Sequence, residues 1–222
     1  MRIPLTKYGL PQIIYGTVVC AALAWCCLLT IPLLVVVPGA LWLFLLAFFR
    51  DPERPCEARP DELLSPADGT VADIEEVDAL EFLTGRALRI GVFMSVADVH
   101  VNRAPAAGTV RFVKHVPGMF YDARTARSKS DNEHNFLGME TTDGRRILVR
   151  QVAGVIARRI VCRVQPGDAL ARGERFGMVK FGSRLELYVP LSDRPVAQVK
   201  LGQHVKAGRD VLVRYGSADG AA

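Results

Sequence analysis

The pattern of apolar and polar positions changes character once along the chain, near residue 50. From Tyr8 to Phe49 no residue carries a charge. A helix crossing the ~30 Å hydrocarbon layer needs only about 20 apolar residues, so this run is long enough for two. Pro32 and the pair Pro38-Gly39 interrupt it, and proline is tolerated in the first turn of a helix but breaks its interior. The pattern therefore predicts helices at about 12–30 and 32–49, an N-terminal transmembrane helical hairpin within residues 1–50, with a single kinked or re-entrant segment as the alternative.

After Phe49 the period becomes two. Ile90, Val92, Met94 and Val96 alternate with Arg89, Gly91, Phe93 and Ser95, and Leu185, Leu187 and Val189 alternate with Arg184, Glu186 and Tyr188. Such alternation marks half-buried strands. Turn signals separate the stretches: Ala67-Asp68-Gly69, Ala107-Gly108, Asp143-Gly144, Pro166-Gly167 and Ala207-Gly208. Residues 51–222 thus read as mainly β, a single compact domain, and about 170 residues suffice for one core. The stretch Pro117 to Phe136 has no period and reads as a long loop, which in a compact domain is usually a lid or disordered.

One repeat stands out. Val164 to Gly173 leads to Phe181-Gly182-Ser183, and Val199 to Gly208 leads to Tyr215-Gly216-Ser217, with two glycines six residues apart in each unit. The pattern resembles the barrel-sandwich of biotinyl and lipoyl domains.

Formal net charge is +5, with arginines scattered rather than gathered in one tract. That argues against nucleic acid. Beside a bilayer anchor it points to an anionic membrane surface, where each basic residue near the headgroups adds ~1 kcal/mol. Arg2 and Lys7 precede the apolar run while Arg50, Arg54 and Arg59 follow it, so a hairpin would bring both basic flanks to the cytoplasmic side. The expected location is the cell membrane, with the β domain in the cytoplasm. A signal peptide is the rival reading, but the run is too long for a signal's core. Cys20, Cys26 and Cys27 lie in the apolar run, and Cys56 and Cys162 are far apart. They form no disulfide framework, which fits a reducing compartment. No metal-ligand spacing appears.

Three motifs carry candidate chemistry. In Gly182-Ser183, the serine hydroxyl can attack the preceding carbonyl and turn the amide into an ester. Glycine leaves the approach unobstructed and permits unusual backbone angles. Only serine, after β-elimination to dehydroalanine and hydrolysis with loss of ammonia, leaves a pyruvoyl group. In Leu64-Ser65-Pro66-Ala67-Asp68-Gly69, an ordinary Pro-x-Asp-Gly turn, the carboxylate of Asp68 reads locally as a turn cap. In Asp98-Val99-His100-Val101-Asn102-Arg103, His100 offers an imidazole titrating near ~6.5, the natural proton carrier at neutral pH.

The run Phe176-Gly-Met-Val-Lys-Phe-Gly-Ser183, the upstream Pro-Ala-Asp-Gly and the Asp-x-His segment occur in an order that resembles the phosphatidylserine decarboxylases, in particular their short, membrane-hairpin branch. The resemblance implies self-cleavage between Gly182 and Ser183 into residues 1–182 and 183–222, which stay together as a β/α heterodimer. It implies a pyruvoyl cofactor made from Ser183, an electron sink while phosphatidylserine loses CO₂ to become phosphatidylethanolamine. Asp68 would serve self-processing. His100 would contact the substrate carboxylate or deliver the proton, and Arg103 would bind headgroup phosphate or carboxylate. A homo-oligomer is compatible with all of this.

Longer members of the family carry a histidine, the base for self-cleavage, where Arg103 stands. An arginine, always protonated, cannot replace it. The base is then His100 doing both jobs, or His115 or His134. Two other readings compete. A non-enzymatic biotinyl/lipoyl-like carrier or membrane adaptor would use Met178-Val179-Lys180 as its lysine hairpin. A zinc peptidase-like domain needs three or four ligands, and position 102 is Asn rather than a second histidine.

Overall fold

The computed structural model describes residues 4–155, 159–180 and 182–216. Phe181 and Ser217, which belong to the two repeated tripeptides, lie outside the described residues. The chain divides into two compact units, Met1–Glu53 and Arg54–Ala222.

In the first unit the apolar run forms α1 (Leu10–Thr30), a 3-10 turn over Pro32–Val35, and α2 (Val36–Phe48). The break falls at Ile31-Pro32 as expected. Pro38 sits in the first turn of α2, where its missing N–H has no intrahelical acceptor to lose. The helices touch where Gly16 leaves room for Leu45 and where Trp42 Nε1 donates to Thr17 Oγ1 at 3.1 Å. The segment Lys7–Thr30 is long and apolar enough to cross a membrane; Pro32–Phe48 is apolar but shorter.

The second unit is built around an antiparallel sheet of eight strands: β2 (Gly69–Asp78), β3 (Arg86–Met94), β5 (Gly108–Val116), β6 (His134–Thr141), β7 (Arg146–Val152), β9 (Ala169–Leu170), β11 (Ser183–Pro190) and β13 (His204–Val205). Their order is β13-β2-β3-β11-β7-β6-β5-β9. The alternation read from β3 and β11 sorts their side chains by face, except that β3 stops at Met94 and Val96, read into the same pattern, lies exposed in the turn that follows. Ile90, Val92, Met94, Leu185, Leu187 and Val189 enter the main core, while Tyr188 joins a smaller cluster with Leu83, Phe136 and Leu148 on the other face.

Two three-stranded sheets complete the unit. One is β1 (Glu62–Leu64), β14 (Val211–Tyr215) and β12 (Pro195–Ala197); the other is β4 (Val101–Arg103), β10 (Arg175–Val179) and β8 (Ile160–Cys162).

The repeat extends further than the glycine pairs indicate. Each repeated segment supplies a short edge strand of the large sheet, β9 or β13, and then the central strand of a small sheet, β10 or β14. The contacts match as well. Gly167 N–H donates to Val110 O at 2.8 Å and Gly202 N–H to Val71 O at 2.9 Å; Gly173 N–H donates to Ala104 O and Gly208 N–H to Ser65 O, both at 2.8 Å. These acceptors flank a second duplicated stretch at matching positions, Pro66-Ala67-Asp68-Gly69 against Pro105-Ala106-Ala107-Gly108. All four repeat glycines have positive φ, the conformation glycine adopts most cheaply.

The stretch from Pro117 to Phe136 departs from the expected loop. Its last three residues already belong to β6, and Ala126–Asp131 forms a short helix, α3. Local polarity hid both, because the segment is ordered by distant contacts. Asn132, fully buried, donates from Nδ2 to Ala153 O (2.7 Å) and Tyr121 O (2.8 Å) and accepts from Tyr121 N–H at 2.8 Å.

Candidate active site

Antiparallel pairing gathers the candidate residues at one end of the large sheet. Ser183 opens β11 opposite Met94, the last residue of β3. Phe93 pairs with Thr70 at the start of β2, directly after Asp68-Gly69. On the other side Arg184 faces Val152, the last residue of β7, and Val152 faces His134 at the start of β6.

Ser183 is completely buried, and by alternation it faces the core side with Leu185 and Leu187. Its hydroxyl lies 3.4 Å from Val179 O. Gly182 has φ +60° with open space where a Cβ would project. Glycine is needed there for its left-handed backbone, which costs other residues roughly 1–2 kcal/mol, and not for room. The carbonyl of Gly182 rests on Gly154. A Cβ added at Gly154 would fall inside the van der Waals shell of that oxygen and 2.9 Å from its carbon. Gly154 was not legible as a functional residue, since nothing in its own neighbourhood of the sequence distinguishes it.

His100 is fully buried, and its Nδ1 lies 3.0 Å from Asp98 O. A carbonyl only accepts, so Nδ1 carries the proton and the lone pair of the neutral ring is at Nε2. The next residue, Val101, pairs with Met178, beside Val179, whose carbonyl takes the Ser183 hydroxyl. Two residues on, Asn102 reaches Met94 Sδ at 3.8 Å, and Met94 is the cross-strand partner of Ser183. The fold therefore brings the His100 segment and Ser183 to one locality. Asn102 also accepts from Gln151 Nε2 (2.8 Å), and Gln151 Oε1 accepts from Asn135 (3.1 Å). This buried amide chain ties the small sheet to the large one.

Asp98 takes hydrogen bonds from Ser95 N–H (2.8 Å) and Ser95 Oγ (2.7 Å) and meets His204 Nε2 at 2.8 Å. Burial works against its charged form, but the Ser95 and His204 bonds win and hold the carboxyl below its ordinary value.

The other two histidines sit elsewhere. His134 shares its face with Phe136 and packs on that ring edge-on, on the side of β6 opposite Asn135 and Leu137, and so opposite Ser183. Its Nδ1 is 2.7 Å from Asn132 O. His115 is half exposed on β5, with Glu133 at 3.9 Å, and β5 is three strands from β11.

Burial pushes the His134 pKa down and nearby Arg150 adds to the shift, against the bond to Asn132. A neutral buried histidine favours the native state above about pH 6.5, the ordinary value, and that contribution is lost as pH falls below it, because the unfolded chain then binds the extra proton. Urea unfolding at pH 7 and pH 5 is expected to show a smaller loss of stability for His134→Gln than for the parent; equal losses would refute this assignment.

Asp68 is buried and held by Arg54, Nη1 to Oδ1 at 2.6 Å and Nη2 to Oδ2 at 2.7 Å, and by Ala207 N–H at 2.8 Å. In the second copy of the motif Ala107 occupies this position, so the turn itself does not require a carboxylate. Arg54 was read from the sequence only as part of a basic flank. Arg103, buried on the opposite face of β4 from Asn102, donates from Nη1 to Gly173 O at 3.1 Å and lies against Gly208. Lys180 is also buried, and burial lowers its pKa, with Arg159 adding to the effect. A carrier lysine must be exposed to be modified.

Beneath the Gly182-Ser183 bond, on the face opposite Ser183, lies a buried ionic layer. Glu186 receives Arg184 Nε (2.7 Å), Tyr188 Oη (2.6 Å) and Arg150 Nη1 (3.4 Å). Arg184 also pairs with Asp73, and Arg89 bridges Asp73 and Glu75. Gly91 makes the room, since a Cβ there would strike the Arg184 guanidinium.

A mainly β domain with a glycine-serine bond at a strand start and a buried histidine beside it defines the class of protein. The particular family follows from comparison. The family model described as phosphatidylserine decarboxylase matches residues 41–213. A phosphatidylserine decarboxylase proenzyme of Desulfotalea psychrophila is 41% identical over 214 residues, covering 95% of this chain and 96% of the relative. One from Solidesulfovibrio magneticus is 43% identical over 214 residues, 95% of each. One from Ruegeria pomeroyi is 50% identical over 168 residues, 74% of this chain and 76% of the relative. The chain belongs to the phosphatidylserine decarboxylase family.

Proposed function

We propose that this chain is a self-processing decarboxylase that converts phosphatidylserine to phosphatidylethanolamine. The observation that carries the reading is the Gly182-Ser183 bond itself: a left-handed glycine, its carbonyl seated against Gly154, followed by a buried serine at the start of β11.

In this reading the Ser183 hydroxyl adds to the Gly182 carbonyl. The C–N bond breaks, an ester forms, and the hydroxyl proton passes to the freed amine. Loss of the Ser183 α-proton and of the Gly182 carboxylate leaves dehydroalanine, and water then releases ammonia. The resulting pyruvoyl group supplies a ketone that condenses with the substrate amine and accepts electrons as CO₂ departs. The chain's own residues do the rest. His100, with its lone pair at Nε2, moves the proton, and Asp68 with Arg54 fixes the turn that opens β2. Arg103 ties β4 to the turns at Gly173 and Gly208 and is the candidate for an anionic headgroup group. We read the two repeated units as a barrel-sandwich element, supported by their matched glycines and hydrogen bonds.

The domain division follows the same logic: residues 1–50 as a hairpin anchor in the cell membrane, and residues 51–222 as the catalytic part on the cytoplasmic side, cut into 1–182 and 183–222. A bilayer surface as partner is supported by the rim of the site. Val96, Met119, Val155 and Leu201 are exposed, and each lies in a turn at the Ser183 end of the sheet. Val96 follows Met94, Met119 bridges to Asn132, Val155 follows Gly154, and the Leu201 turn bonds to Val71. Lys200 and Arg159, also exposed there, suit anionic lipid.

The test is denaturing intact-mass measurement of the full chain, with CO₂ release from phosphatidylserine vesicles. The expected result is two chains joined at Gly182/Ser183 before the cut, the shorter one without a free amine, and turnover. His100→Ala is expected to lose about 10²–10⁴-fold in decarboxylation per cut chain, the range of a positioned acid-base group. A wild type that stays whole yet is active would sink the proposal.

A further inference from the structure

We propose that Gly154 is the surface that positions the scissile carbonyl for self-cleavage, and that Asn132 is the positioning residue that holds Gly154 in place. The proposal rests on Gly182-Ser183 being the bond that is cut.

Two glycines meet at this bond for different reasons. At Gly182 the backbone is left-handed and the space beside it is open. At Gly154 the backbone is not in the left-handed region, so conformation does not demand glycine. Space does. Any side chain would collide with the backbone oxygen of Gly182, and a backbone atom, unlike the tip of a flexible side chain, cannot swing away without moving the bond it belongs to.

That oxygen is where charge develops when the Ser183 hydroxyl adds. The carbonyl must turn its face towards the hydroxyl of its own next residue, a geometry an extended chain does not offer. The left-handed Gly182 makes the turn, and Gly154 limits how far the carbonyl rotates back. The methyl of Ala123, brought from the 117–133 segment, would lie 3.6 Å from a Cβ added at Gly154 and so borders the same space.

What fixes Gly154 is its neighbour. Ala153 O accepts from Asn132 Nδ2 at 2.7 Å, and Ala153 N–H donates to Glu133 O at 2.9 Å. Asn132 is fully buried and also clamps Tyr121 through both ends of its amide. The requirement is for an amide that donates twice and accepts once. Aspartate has the shape but not the donors.

The cut releases Gly182 as the end of a separate chain. Its carboxylate can then leave the seat, so the later decarboxylation no longer depends on Gly154. This separates the proposed role from a general structural one.

The experiment follows self-cleavage of the full chain by intact mass after synthesis, and decarboxylation normalised to cut chains. Gly154→Ala is expected to slow cutting about 100-fold or more, as misplacement by about 1 Å can, while activity per cut chain stays within about twofold of wild type. Hydroxylamine, which cleaves esters, is expected not to rescue it, because the ester does not form. Asn132→Asp, a smaller change, is expected to slow cutting with the same split between the two readouts, and it decides the matter if Gly154→Ala does not fold. Cutting at the wild-type rate in either folded variant, or equal loss in both readouts, would overturn the proposal. A wild type that never splits would instead remove the functional reading beneath it.

Discussion

Ser183→Ala is expected to remain one chain of 222 residues and to release no CO₂ from phosphatidylserine above background. The substitution removes a single oxygen from a fully buried position. The hydrogen bond from that oxygen to Val179 O is long at 3.4 Å, so little stability goes with it; an average hydrogen bond contributes about 1 kcal/mol. Loss of function would therefore be chemical. The same atom is the nucleophile of the first step and the leaving oxygen of the second, so no other residue can restore the ketone. Intact mass and activity are read on one preparation, with urea unfolding as the control for folding. Turnover by an uncut Ser183→Ala chain would exclude a pyruvoyl mechanism.

Glu186→Ala is expected to destabilise the fold by about 3–5 kcal/mol, the range for removing one partner of a buried ion pair. Glu186 is completely buried between Arg184 and Arg150, with the Tyr188 hydroxyl donating to it. Burial alone would raise its pKa, yet the Arg184 and Arg150 charges and the Tyr188 bond keep it below the ordinary value. Without the carboxylate, Arg184 retains Asp73 but faces an uncompensated site, and Arg150 loses its charged neighbour. Urea unfolding of Glu186→Ala against its parent, both in the Ser183→Ala background so that one chain is compared with one, is the measurement. A loss below about 1 kcal/mol, the scale of an exposed pair, would show the layer to be hydrated. The layer also bears on the proposed cut: with cleavage between Gly182 and Ser183, Arg184 would become the second residue of the short chain, and its partner Asp73 would lie on the long one.

Some of this was legible before any coordinates. The apolar run gave α1 almost to the residue, because a helix boundary at Ile31-Pro32 is a local matter of a missing N–H and a fixed φ. The alternation in β3 and β11 sorted core side chains from the ionic layer correctly, since neighbours at i and i+2 share a face whatever the strand pairs with. The glycine pairs revealed the duplication, but only half of it: the Pro-Ala-x-Gly copies differ at Asp68 and Ala107, the position where a carboxylate held by Arg54 breaks the symmetry.

The histidines mark the limit. His100, His115 and His134 were equal candidates for the processing base in one dimension. Strand order sets His115 three strands from β11, and the parity of β6 turns His134 to the far face, while pairing of β4 with β10 sets Val101, the residue after His100, opposite Met178, the residue before Val179. The sequence by itself determined the local things: where the membrane-length helix starts and stops, which residues alternate, and that glycine precedes serine. Only the tertiary structure decided what meets across it, namely Gly154 beneath the Gly182 carbonyl, Arg54 on Asp68 and Asn132 on Ala153. Those contacts join residues 14 to 28 positions apart in sequence, and they depend on strand order and register, which are properties of the whole sheet and leave no mark in the spacing of any one segment.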